Sequence, residues 1–149
     1  FMKEATFWLI ISLLNWSEAG NDDAVIEPAV AELSKMSEAQ ILGFSELLAE
    51  KLYALDTLRH AKEIGEDAYI KPEEYFSADL FLYARCVVVA NGKELYEQVL
   101  IDPQVFPKDL EFEALLYIAS TAYERKTGKE LDYQTKISYE TYANKDGWL

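Results

Sequence analysis

Histidine and cysteine are almost missing from this chain: 149 residues hold one of each, His60 and Cys86. A single cysteine excludes an internal disulfide and a thiolate zinc cluster, which fits a reducing compartment. A single histidine leaves no triad to assemble, since no serine, cysteine or aspartate motif is spaced to work with it. His60, in LRHAKEI, therefore reads as a structural or surface residue, and Cys86, inside an apolar run with only Arg85 beside it, as a small core residue. The six glycines are scattered and match neither the G-x-G-x-x-G nor the Walker pattern, so no phosphate-cradling loop is expected. Glu-x-x-His spacing never occurs. Asp22-Asp23 and Glu73-Glu74 are adjacent pairs, whose carboxylates diverge by about 100° on a helix and cannot share an ion. No catalytic residue, metal or cofactor is expected. Long apolar runs are also lacking: the stretch Phe7 to Leu14 contains Ser12 and is too short to span a bilayer. Lys3 is matched by Glu4 and no small-residue cleavage site follows, which argues against a secretory signal. The expected location is the cytoplasm, with Phe1 an extra residue ahead of a native start at Met2.

Basic residues are scarce, and that scarcity is the first positive clue. Fourteen Lys and Arg against twenty-seven Asp and Glu give a net charge of −13. Such a charge repels nucleic acid and anionic membrane and steers basic partners inward; it also simply keeps a protein dispersed. Both readings stay open. The excess is front-loaded, with seven acids and two bases in residues 1–40 against seven and five in residues 111–149.

What is present is helical periodicity. With no repeat and no Pro/Gly/Ser linker, the chain reads as one domain, an all-α bundle of about six helices closed by an irregular aromatic tail. Phe7, Ile10, Ile11 and Leu14 mark a first helix ending near Gly20. Asn21 or Asp22 caps a second, with Val25, Ile26, Ala29, Val30 and Leu33 inward; Pro28 either occupies its first turn or kinks it. Ser37 and Gln40 form a capping box for a long helix running to about Ile64, with Gly65 as its stop. In CVVVANGKELY a hairpin competes with a helix. The helix is preferred, because no second alternating strand exists to complete a sheet. A short helix follows from Lys93 to Leu100, stopping at Asp102-Pro103. The last helix is expected to be capped by Asp109 and closed by Gly128.

The stretch EIGEDAYIKPEEYFSAD, residues 63–79, gathers six carboxylates and three aromatic rings around one base, Lys71. Its acids do not alternate with matching bases four residues on, so it is not an internally neutralised helix face. It is either a solvated loop whose rings tuck inward or a surface for a basic protein, with rings as anchors and acids as the steering charge. On the second reading the partner-binding residues are Glu66, Asp67, Tyr69, Glu73, Glu74, Tyr75 and Asp79, with Asp22 and Asp23 as a second patch.

Three blocks also carry a family likeness: FWLII at Phe7 to Ile11, SADLFLYARCVVVANGKELYEQVLIDP at Ser77 to Pro103, and FEALLYIASTAYERKTGKEL at Phe112 to Leu131. In this order they resemble the bacterial family catalogued as domain of unknown function 4240. Its middle block reads close to S-D-D-x-F, then F-R-x-W-L-I-x-x-G-K; Ser77, Asp79, Phe81, Arg85, Gly92 and Lys93 match, while Ala78, Ala84 and Val87 depart. The resemblance implies an all-helical domain, a bacterial source and no established activity, in a class of families whose members occur beside toxins as immunity proteins. Joined to the charge argument, it makes the leading expectation an immunity protein, not an enzyme. Such a protein would occlude the basic surface of a cognate toxin domain, for example a nuclease or an ADP-ribosyltransferase. A small acidic helical adaptor or sensor with an unrelated intracellular partner is the alternative.

Overall fold

The structure, a computed structural model, describes residues 1–149 and contains helices but no strand. Seven α-helices follow one another: α1 Glu4–Ile11, α2 Asp22–Ser34, α3 Glu38–Ala54, α4 Leu58–Ala61, α5 Ala78–Ala90, α6 Lys93–Ile101 and α7 Ile118–Thr127. Short 3₁₀ turns occupy Trp16–Glu18, Pro103–Val105, Glu113–Tyr117 and Lys145–Trp148. The all-α expectation holds, with one helix more than expected.

The extra helix comes from a break in the long one. Ser37 caps α3 as its sequence predicts, its Oγ accepting from Gln40 N at 3.2 Å. The reciprocal half of the capping box does not form, and Gln40 Oε1 is buried without a partner. Helix α3 then stops at Ala54, ten residues before the expected Ile64, because Asp56 and Thr57 leave helical geometry. Thr57 starts α4 by accepting from His60 N at 3.1 Å. Gly65, at φ 111°, lies beyond both helices.

Three other boundaries differ. Helix α1 ends at Ile11, not near Gly20, because Asn15 turns inward: its N–H donates to Val25 O at 2.9 Å and its side chain caps the 3₁₀ turn that follows. Asn21 caps α2, its Oδ1 accepting from Ala24 N, and the helix continues through Pro28, which is therefore interior and not in the first turn. Asp109 does not cap the last helix. It adopts φ 61° and spends its carboxylate on Glu66 N at 2.7 Å, while α7 grows out of the Glu113–Tyr117 turn. Elsewhere the expectations stand. Asn91 ends α5, Gly92 at φ 103° turns the chain into α6, and Gly128 at φ 73° closes α7 by donating to Glu124 O.

One core of 35 buried residues draws on every helix. Helix α7 packs on α2 and α3, α3 on α5, and α5 on α6. Phe7 and Phe44 meet inside it with ring centroids 5.0 Å apart. The tail after Gly128 has no regular structure beyond one 3₁₀ turn and lies across the bundle as a strap.

Candidate functional site: an acidic face beside helix α5

The loop from Gly65 to Ser77 carries the densest exposed charge. Glu66, Asp67, Glu73, Glu74 and Asp79 are all exposed, and the one ion pair among them is the loose Lys71–Glu74 contact at 4.0 Å. A surface pair at that distance neutralises little. Within the loop Tyr75 is 92% exposed and Ile70 65% exposed. The other two rings turn inward: Tyr69 and Phe76 meet edge-on at 5.4 Å and are half-buried against the core.

Sequence reasoning missed how the face continues. A groove of about 200 Å³ runs beside α5, floored by Ile64, Leu80 and Ala84 and rimmed by Glu66, Asp67, Asp109 and Glu111. Two residues beyond the rim, Glu113 accepts a hydrogen bond from the Tyr117 hydroxyl and pushes that phenol up to about 12. Partial burial, then the charges of Glu113 and Asp79, push the Tyr83 phenol up as well. Glu66, Asp67, Asp109 and Glu111 therefore border one groove, and Asp79 and Glu113 both act on Tyr83 of the same helix. Asp22 and Asp23 are exposed in the first turn of α2, where they complement the positive helix end. No hydrogen bond or ion pair joins them to the loop.

Two buried charges hold the strap, and neither stood out in the sequence. Asp56 is 0% exposed; its Oδ1 accepts from Trp148 Nε1 at 2.8 Å and Tyr142 N at 3.2 Å, and its Oδ2 from Asn144 N at 3.0 Å. Arg85 is also 0% exposed. It donates to Leu52 O, Tyr139 O and Thr141 Oγ1, lies 4.7 Å from the Phe81 ring centre, and leaves Nε unpartnered. Burial pulls its pKa down to about 10 against the attraction of Asp56. A carboxylate and a guanidinium taken this far from water need such partners, and the strap supplies most of them.

The remaining reactive groups are buried within the bundle. His60 is 4% exposed. Its Nε2–H donates to Val99 O at 2.8 Å, which leaves Nδ1 to accept from the Thr57 hydroxyl at 2.6 Å. Burial lowers its pKa. Burial pushes the Cys86 thiol up to about 12, so it remains an inert thiol. No three His, Cys, Asp or Glu side chains come together to hold a metal ion, and no helix is long and apolar enough to cross a membrane.

A family described as protein of unknown function (DUF4240) matches residues 2–125, and the chain belongs to that family. No curated protein and no solved structure matches it.

Proposed function

We propose that this member of the DUF4240 family is an immunity protein. On this reading it binds a cognate toxin domain of basic surface through its acidic face, occluding that surface without turnover. The observation that carries the reading is Tyr75. A ring 92% exposed, in one loop with exposed Ile70 and with carboxylates whose one basic contact is the loose Lys71–Glu74 pair, offers a large contact area and a steering charge in one segment. A toxin that works on nucleic acid or a nucleotide cofactor has a cationic cleft, and a surface of this charge is repelled by the substrate while being attracted to the cleft.

Co-expression with the product of the adjacent gene tests this. The proposal expects a neighbour that is lethal alone, growth restored by this chain, and a co-purifying complex whose association slows as salt is raised. Reversing charge at Glu73→Lys and Glu74→Lys together should slow association about tenfold or more at low salt and flatten its salt dependence. A harmless neighbour, or rescue without a complex, would reject the proposal and favour an adaptor role.

A further inference from the structure

We infer that the C-terminal strap holds the acidic loop in place, with Trp148 as the positioning residue through which it acts. The bearing of this on partner binding rests on the reading of the loop as the docking surface.

The loop has little else to hold it. From Ile70 to Phe76 it makes one backbone hydrogen bond, Glu74 N to Lys71 O at 3.1 Å, and that bond is internal. Its hold on the bundle is at its ends. The Tyr69 and Phe76 rings lie on the Trp148 indole with centroids 5.7 Å and 6.2 Å away, Phe76 also meets the Phe81 ring at 5.7 Å, and Glu66 N donates to Asp109 Oδ1 at 2.7 Å. Tyr69 N adds a bond to Ala61 O at 3.0 Å. Trp148 is in turn fixed from the other side by Asp56 at 2.8 Å, the Tyr142 ring at 4.7 Å and the Phe81 ring at 6.0 Å.

Its seat is built to a close tolerance. Gly147 passes so near the Asp56 carbonyl that a Cβ there would sit 2.7 Å from that oxygen. The absence of a side chain at residue 147 is what lets the Lys145–Trp148 turn come down onto Asp56. Lifting the strap therefore removes the indole on which Tyr69 rests and leaves Phe76 with Phe81 alone. Strap docking and loop order are one equilibrium, so an event at the strap is felt at Tyr75 and at Glu73 and Glu74.

The test uses the chain alone. Chymotrypsin cleavage after Tyr75, mapped by mass spectrometry under native conditions, reports loop opening. Trp148→Ala and, independently, Gly147→Ala should each accelerate that cleavage tenfold or more, while amides in α3 and α5 keep wild-type protection. Cleavage at the wild-type rate in both variants overturns the inference. So does loss of protection in α3 and α5 in both, because Trp148 would then serve the whole core and not the loop. In the unmodified protein, amide exchange in dilute guanidinium should place Tyr69, Tyr142 and Asn144 on one opening isotherm; separate isotherms also overturn it. Neither readout involves a partner, so this inference and the immunity reading fail separately.

Discussion

Asp56 is where a single substitution should be most informative. Its carboxylate is fully buried and receives three donors, two on Oδ1 and one on Oδ2. Asp56→Ala takes the acceptor from the Tyr142 and Asn144 amides and the Trp148 indole N–H, and removes the negative charge that favours Arg85. Breaking one member of a buried charged arrangement costs about 3–5 kcal/mol. Asp56→Asn is the sharper test. An amide can keep its oxygen toward Tyr142 N and Trp148 Nε1, but its NH₂ then faces the Asn144 N–H. One charge-assisted bond is lost and an unfavourable donor pair is made, for about 2–3 kcal/mol. Guanidinium unfolding followed by tryptophan fluorescence reads both. The expected order is wild type, then Asn, then Ala. A loss below about 1 kcal/mol in Asp56→Ala would refute the claim that the strap is held through this carboxylate.

Other outcomes follow from the same structure. Because His60 is the sole histidine, it dominates titration between pH 5.5 and 7.5. Its folded pKa lies below the unfolded value of about 6.5, so its stabilisation is present above that pH and lost as pH falls through the folded pKa. Unfolding at pH 7.5, 6.5 and 5.5 should show stability falling by at most about 1.4 kcal/mol per unit, and His60→Asn should be flat over that range. Gly65→Ala forces φ 111° on a residue with a side chain and puts a Cβ 2.8 Å from Asp109 N; a loss of about 1–3 kcal/mol in thermal or chemical unfolding is expected. Iodoacetamide should leave Cys86 untouched in the native protein and alkylate it promptly in denaturant; fast native labelling would contradict its burial.

The sequence carried the helices because apolar periodicity and local caps are short-range properties. Ser37, Asn21, Ser77 and Gly128 each announce a helix end through a bond made within four residues. What it could not carry are the groups whose partners are far along the chain. Asp56 looked like one polar residue in a helix, yet its donors lie 86 to 92 residues away. Asp109 had the right neighbours for a cap, and a backbone N–H 43 residues away claimed it instead. The acidic stretch was legible as charge, and its loop geometry was not, because Tyr69 and Phe76 are oriented by a tryptophan that follows them by more than seventy positions. One signal was available and unused: an Arg amid the uncharged apolar run LFLYARCVVVA has to find acceptors indoors.

The strap has a kinetic side. Its bond from Trp148 to Asp56 closes a span of 92 residues, whereas a helical bundle gains most of its early structure from contacts within a few turns. Helices adjacent along the chain, α2 with α3 and α5 with α6, can associate before that span is closed, so strap docking is expected after the folding barrier. Substitutions at Trp148 or Asp56 would then leave the refolding limb of a chevron nearly unchanged and steepen escape from the native state, and a slowed refolding limb would show the opposite order. With that order of events, the strap sets how long the protein stays folded more than how fast it folds.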